Sequence, residues 1–360
     1  MNDRTREFLR QAYRQYYYGR SESVEFPADT PSREFGYIPF GGSMVRHLSF
    51  ASPGEAAAEV LRQSPSSVYC SNARYSSPAL PMEEKGWQGA ELIFDIDATD
   101  IPTPCKKGHD VWYCAACGAS GRPPRPPKCP KCGGASAELK GTCPVCLDAS
   151  KEHARRLAGL LEEDFGVSPG DIRTYFSGNR GYHLHVYDGR FDQLGQLGRA
   201  EVADYVRAGS LPAPQTIAST LRRRPGREDR GGWMRRIEGY VDARKDVHQG
   251  TLQKLVSEAV SSQRALIDAS VTTDVHRVFR LAGTLHGNTG MCKARVKSLD
   301  SFDPYVDPVV LSRDPVKVDV KFYPAFSMAG EAFGPFRSQQ AALPTFAAVP
   351  ILARGLGEVA

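Results

Sequence analysis

Apolar residues fall at helical spacing in some stretches of the chain and at strand spacing in others. Phe8, Leu9, Ala12 and Tyr16 share one face of a helix over residues 1–20, and Ala58, Val60 and Leu61 recur around 54–63. Ala154, Leu157, Leu160, Leu161 and Phe165 form one stripe, which predicts a helix over 149–165 with Gly166 as its C-terminal cap. Residues 33–50, REFGYIPFGGSMVRHLSF, read as strands around a Gly41-Gly42 turn, and SVYCSNARY (67–75) and GAELIFDID (89–97) as one strand each. IRTYFS and YHLHVY flank GNRG, the pattern of a β-hairpin. Residues 191–262 look mainly helical, and 265–300 return to strand and turn character. Beyond 335 the chain is rich in Ala, Pro and Gly without periodicity, and is expected to be poorly ordered.

One stretch has no hydrophobic period. Residues 101–147 are rich in Cys, Pro, Gly and Lys, and such a segment folds around metal rather than around an apolar core. The expected organisation is therefore an α/β (α+β) core built from 1–100 and 148–335, with a small mixed or antiparallel sheet flanked by helices. A metal-binding insertion spans 101–147 and a tail 336–360. At 360 residues the chain suits one large domain with an insertion.

Composition narrows the class. With 41% hydrophobic residues the chain is globular, and no apolar run approaches the ~18 residues of a membrane span. The N-terminus, MNDRTREFLRQAYRQYYYGR, lacks the apolar stretch of a signal peptide, so a cytoplasmic protein with no membrane partner is expected. A net charge of +5 is compatible with a phosphate-rich partner. Seven arginines fall within residues 222–236, either a solvated loop or one that tracks a nucleic-acid backbone.

Seven of the nine cysteines lie between Cys105 and Cys146, which in a chain without a secretory signal argues for metal rather than disulfides. The ligand series is Cys105, His109, Cys114, Cys117, Cys129, Cys132, Cys143 and Cys146, with three C-x-x-C pairs. Eight ligands suit two tetrahedral Zn²⁺ sites, closed and hence structural. They pair either in sequence order, or nested, with Cys114, Cys117, Cys129 and Cys132 as a zinc ribbon closed at its base by Cys105, His109, Cys143 and Cys146. The knuckles CAACG and CPKCGG favour the nested form. Cys70 and Cys292 read as ordinary thiols.

Asp95 and Asp97 are two apart at a strand end and project from one face. Paired carboxylates repel unless a cation joins them, and all-oxygen ligands suit Mg²⁺ or Mn²⁺. Two-metal phosphoryl transfer needs a third carboxylate, and spacing alone leaves Asp268 and Asp274 both open. In SGNRGYHLHV, a hydroxyl (Ser177), a guanidinium (Arg180) and imidazoles (His183, His185) around a Gly turn make a phosphate-binding set; a transition-metal pair and a structural role are the rivals. His286 lies in GTLHGNTG, with Arg277 and Arg280 before it.

Together these blocks resemble the small catalytic subunit of archaeal and eukaryotic replicative primases, closest to the archaeal branch. REFGYIPFGG with VRHLSF, MEEKGWQGAELIFDIDATD, YFSGNRGYHLHV and LIDASVTTDVHRVFRLAGTLHGNTG occur in family order over residues 33–290. CPVCLDASKE likewise resembles the end of a shorter zinc motif in that family. The resemblance implies that Asp95, Asp97 and, of the two late candidates, Asp268 hold the catalytic metals, two in number as in other enzymes of this reaction class. It implies that Ser177, Arg180, His183 and His286 hold the nucleotide. The family's usual Lys two residues after that last histidine is Asn288 here, leaving its charge to Lys293 or Arg295. The implied activity is synthesis of short RNA primers on single-stranded DNA from nucleoside triphosphates, with pyrophosphate release. The implied partners are a large primase subunit, template and the replication machinery. The competing readings are a repair polymerase of the same superfamily, a non-catalytic zinc-ribbon protein that binds nucleic acid, and a metal-dependent nuclease.

Overall fold

The computed structural model describes residues 1–223, 231–244 and 252–360. Arg224, Arg227 and Arg230 of the arginine-rich stretch lie outside the described residues. Helix α1 (Asp3–Gly19) begins where the Asn2 side chain accepts the Thr5 N–H, and buries Leu9, Ala12, Tyr13, Tyr16 and Tyr17. Strands β1 (Arg33–Ile38) and β2 (Val45–Leu48) follow. Helix α2 (Pro53–Gln63) is started by Ser52, whose hydroxyl accepts the Glu55 N–H, while Glu55 reaches back to the Ala51 N–H. Then come β3 (Ser67–Tyr75), β4 (Trp87–Ala90) and β5 (Leu92–Asp97). The single strand expected over 89–97 is thus two. The break falls at Glu91, whose buried carboxylate turns inward to Arg33 at 2.5 Å.

The cysteine-rich segment contributes α3 (Lys106–His109) and the short strands β6 (Val111–Tyr113), β7 (Ser120–Gly121) and β8 (Ala137–Leu139). Helix α4 (Pro144–Phe165) starts with proline in its first turn and ends at Gly166, φ +63°. It begins earlier than its apolar stripe suggests, so the boundary expected at 147/148 falls inside a continuous helix. The hairpin is as expected: β9 (Ile172–Phe176) and β10 (Gly181–Val186) pair antiparallel. Helices α5 (Gln196–Arg207), α6 (Pro214–Arg223), α7 (Gly232–Asp242) and α8 (Leu252–Gln263) occupy the stretch read as helical. A short α9 (Ala269–Thr273), β11 (Val278–Arg280) and β12 (Ala294–Val296) follow.

Two antiparallel sheets face each other. One has the order β11-β3-β1-β2, with β4 also on β3; the other is β12-β9-β10-β5. Period-two alternation sorts β5. Leu92, Phe94 and Ile96 point into an apolar core made with α4 and the α5–α8 helices. Ile93, Asp95 and Asp97 point the other way, where Ile93 packs with Phe279 of β11 and Val271 of α9.

The tail is a correction. Residues 336–360 form a folded unit with β13 (Pro315–Tyr323), β14 (Phe326–Met328) and β15 (Glu331–Phe333). They supply β16 (Phe336–Pro344), α10 (Thr345–Ala353) and β17 (Gly357–Val359), with sheet order β16-β13-β17. Helix α10, TFAAVPILA, is apolar on every side and buried from Thr345 to Leu352, so it shows no periodicity for a sequence reading to find. Among the described residues no helix is long and apolar enough to cross a membrane.

Candidate active centre and metal-ligand clusters

The register of β10 against β5 sets His183 opposite Asp95 and Gly181 opposite Asp97. His183 Nε2 lies 3.3 Å from an Asp95 oxygen, and Arg180 Nη2 lies 3.6 Å from an Asp97 oxygen. The Thr99 N–H and hydroxyl donate to Asp97 Oδ1 at 2.8 and 2.9 Å, fixing the turn after the strand. Asp268 is tied in by its backbone: its N–H donates to the Asp95 carbonyl at 2.9 Å, while its own carboxylate caps α9 through Ser270. Burial, then the charges of Asp97, Asp268 and Asp95, raise the Asp100 carboxyl above its ordinary value, so all four carboxylates share one field. Asp274 is engaged elsewhere. Its carboxylate accepts the His276 N–H. Asp95, Asp97 and Asp268 each engage a neighbour of their own and do not close to the 4.8 Å spacing of the cysteine clusters.

Burial alone would push the Asp95 carboxyl up; His183, Arg277 and Lys293 more than offset it and hold it below the usual carboxylate range. Burial lowers His183, so its imidazole is neutral near pH 7.

Across the cleft, Ser177 and Arg180 sit at the hairpin turn. The Ser177 hydroxyl accepts the N–H groups of Asn179 and Gly181 at 3.3 and 3.2 Å. Gly178 has φ +78°, and a Cβ there would lie 2.8 Å from the Met291 carbonyl and 3.2 Å from His286 Cβ. A side chain would therefore push the turn off the His286 loop. His286 Nδ1 accepts the Asn288 N–H at 3.1 Å, which leaves its hydrogen on Nε2, a donor with no acceptor among the described residues. Arg280 donates to Ser67 Oγ at 2.9 Å beside it. The residues suggested for the charge missing at 288 lie elsewhere. Lys293 is buried, bonded to His185 Nε2 at 3.2 Å and the Arg280 carbonyl at 2.9 Å, and burial with Arg280 lowers it to about 7. Arg295 is exposed on β12, opposite Tyr175.

Sequence reasoning missed Glu91 and Arg354. Glu91 lies 3.7 Å from His185 Nδ1 and 2.5 Å from Arg33, closing a buried Arg33–Glu91–His185–Lys293 chain under the cleft. Nothing in the local sequence signals either residue.

The eight cysteine and histidine ligands fall into two groups, each with its ligand atoms within 4.8 Å of one another. They are Cys105, His109, Cys143 and Cys146, and Cys114, Cys117, Cys129 and Cys132. This is the nested arrangement; the pairing in sequence order is not formed. Cys114–Cys132 and Cys117–Cys129 are 3.6 and 3.5 Å apart, and Cys105–Cys146 3.2 Å, near the ~3.7 Å edge of a tetrahedron with ~2.3 Å metal–sulfur bonds. The cysteines are not disulfide-bonded. Gly118 and Gly133, φ +69° and +70°, donate back to Cys114 and Cys129 in matching knuckles. Asp110 accepts from His109 Nδ1 at 2.9 Å and so aims Nε2 at the sulfurs, the outer partner that a metal-binding imidazole needs.

The histidines buried in neutral form make a pH prediction. Burial, then Arg156, holds His153 at about 4, where its Nδ1 accepts the Leu266 N–H. Burial, then Lys293, holds His185 at about 3. Both lie below the ~6.5 of an unfolded chain, which therefore binds the protons that the fold refuses. Their contribution is complete above about pH 6.5 and is lost as pH falls from there toward 4. Chemical denaturation at pH 7.5 and pH 5 should show a lower midpoint at pH 5. An equal midpoint would mean that these imidazoles titrate normally.

Residues 128–298 match the family described as DNA primase small subunit. Over the full length of both chains, the sequence is 36% identical to the DNA primase small subunit PriS of Cenarchaeum symbiosum and 36% identical to that of Nitrosopumilus maritimus. The PriS of Archaeoglobus fulgidus is 31% identical over 98% of each chain.

Proposed function

The chain belongs to the DNA primase small subunit family, and from that premise we propose how its cleft joins nucleotides. It is a nucleotidyltransferase, the catalytic subunit of a primase. A 3′-hydroxyl attacks the α-phosphate of a nucleoside triphosphate and pyrophosphate leaves. Asp95, Asp97 and Asp268 hold Mg²⁺ or Mn²⁺, the expected number being two. Bound there, the ions favour the attacking oxygen and neutralise phosphate charge. The donor set fits: only carboxylate oxygens, two from one strand face and a third whose backbone is bonded to that strand. Arg180, Ser177, His183 and His286 orient the triphosphate by hydrogen bonds and charge. His183 remains neutral and steadies Asp95 in its ionised form.

The two cysteine clusters hold structural Zn²⁺, giving a metal-stabilised module at 101–147 beside a core from 1–100 and 148 onward. That module has seven lysines and arginines against two carboxylates; its seven zinc-bound thiolates and two Zn²⁺ together contribute −3, so the loaded module carries about +2 while the rest of the chain sums to zero. A positive lobe on an otherwise balanced molecule suits contact with the backbone of single-stranded template DNA. The family reading adds a large primase subunit as partner and cytoplasmic replication as the setting.

The observation that carries the proposal is the pairing of Asp95 with His183 and of Asp97 with the Arg180 turn. Its test is synthesis on single-stranded DNA with labelled ribonucleotides and Mn²⁺ or Mg²⁺. Short, template-dependent products are expected. Template degradation would point to a nuclease, and binding without products to a non-catalytic zinc protein.

A further inference from the structure

Three guanidinium groups gather around His286. Arg180 comes from the hairpin turn, Arg280 from β11 and Arg354 from the end of α10. Burial and then the charges of Arg280, Arg354 and Arg180 drive the imidazole well below its ordinary value. Arg180 has Asp97 at 3.6 Å, but among the described residues neither Arg280 nor Arg354 has a carboxylate within 4.0 Å. Like charges collected beside a half-buried imidazole repel each other, and an anion between them would remove that cost.

Arg354 is held for such a role. Its Nη1 donates to the Asn288 carbonyl at 2.5 Å, the Tyr323 hydroxyl at 3.1 Å and the Pro350 carbonyl at 3.1 Å. These acceptors are neutral, so they fix the side chain without cancelling its charge. They also engage one nitrogen of three, and among the described residues Nη2 and Nε have no hydrogen-bond acceptor. The same guanidinium borders a groove of about 100 Å³ with Arg180, Asn179 and Lys140. It is thereby anchored to the backbone of residue 288, the position where the resemblance leads one to expect a lysine.

We infer that Arg354 is a further contact for the triphosphate of the incoming nucleotide, supplying from the C-terminal helix the positive charge that Asn288 lacks. The inference rests on the reading of Ser177, Arg180 and His286 as triphosphate ligands. A guanidinium suits this place, because its planar fork can serve two phosphate oxygens while its third nitrogen stays tethered.

The test compares the full chain with Arg354→Gln, Arg354→Lys and the pair Arg354→Gln/Asn288→Lys. The probes are a nucleoside triphosphate with a non-cleavable α–β linkage and the matching monophosphate, bound in the presence of Mg²⁺. Arg354→Gln should weaken triphosphate binding roughly tenfold or more, the scale of a charge-assisted hydrogen bond, and leave the monophosphate unchanged. Arg354→Lys should lose less. Asn288→Lys should restore binding in the Gln background, by returning a cation from a different backbone position. Wild-type triphosphate affinity in Arg354→Gln would overturn the inference, as would equal loss of both probes or no rescue. Should Arg354→Gln melt early, Asn288→Asp takes its place: residue 288 is exposed, and a carboxylate beside the guanidinium should selectively weaken the triphosphate. Unchanged binding there would also overturn it. A wild-type chain that binds no triphosphate, or a Ser177→Ala/His286→Ala variant that binds it normally, would instead remove the underlying reading of the cleft.

Discussion

Asp97→Ala is expected to lower primer synthesis by about a thousandfold or more, while zinc content and thermal unfolding stay close to wild type. Removing a single preorganised electrostatic contact already costs an enzyme ~10²–10³ in rate, and Asp97 is proposed to hold the ions that carry most of the charge stabilisation. Structurally the residue is less critical. Its side chain is 30% exposed and its internal partners are Thr99 and Arg180. Loss of the Thr99 bonds is a turn-capping effect of about 1 kcal/mol. Asp97→Asn separates the two roles, since an amide oxygen can still accept from Thr99 but carries no charge for a cation. Both variants should be inactive, and the asparagine variant should melt like wild type. A variant that primes at a tenth of the normal rate would show that the metals are held elsewhere.

The second large effect concerns the cysteine clusters, and it should differ between them. The base cluster is joined to the cleft by short links. Lys106, next to Cys105, donates to the Thr99 and Ile101 carbonyls at 2.7 and 2.6 Å, in the turn that follows Asp97. Cys146 lies in the first turn of α4, and Ser150, one turn on, donates to its carbonyl and lies 3.4 Å from the Arg180 carbonyl. The Arg180 side chain in turn reaches the Lys140 carbonyl at 3.5 Å. Among the described residues the ribbon cluster has no such links to the cleft, and between Ile101 and Leu147 at its ends the module buries few apolar side chains beyond Val111 and Leu139. Structural zinc supplies ~10–16 kcal/mol in small domains of this kind, so the module should not stay folded without it. Cys146→Ser should lose one zinc and about a hundredfold in synthesis, the upper end of what displaced supporting groups cost. Cys129→Ser should also lose one zinc but keep most of its dinucleotide synthesis. Zinc analysis and initial rates, taken together, check this. Equal rates in the two variants would show that the base cluster does not brace the cleft.

What the sequence revealed was local. Asp95 and Asp97 on one strand face, the hairpin around Gly178 and the helix ending at Gly166 each follow from a short-range pattern, and the structure contains all three. The ligand pairing was partly legible: spacing permits two closures, the knuckles CAACG and CPKCGG favour the nested one, and the return of β8 and Cys143 to the base forms it. Glu91 was hidden inside what read as a single strand; its inward turn depends on Arg33, 58 positions away. Helix α10 was illegible for a different reason. Periodicity reports a boundary between core and water, and a segment buried on all sides has none. Arg354 inherits that blindness, since it matters only through a contact with residue 288 that α10 makes possible.

The placement of α10 and β17 also bears on how the molecule is made. The tyrosine-rich face of α1 is covered in part by these two elements, and the Val359 N–H bonds to the Thr5 hydroxyl at 3.0 Å. Helix α10 begins more than 300 residues after α1 ends. At ~5–20 residues per second, a ribosome needs on the order of 15–65 s to cover that distance. Throughout that interval the nascent chain displays Leu9, Tyr13, Tyr16 and Tyr17 without their final cover, a natural target for holding chaperones.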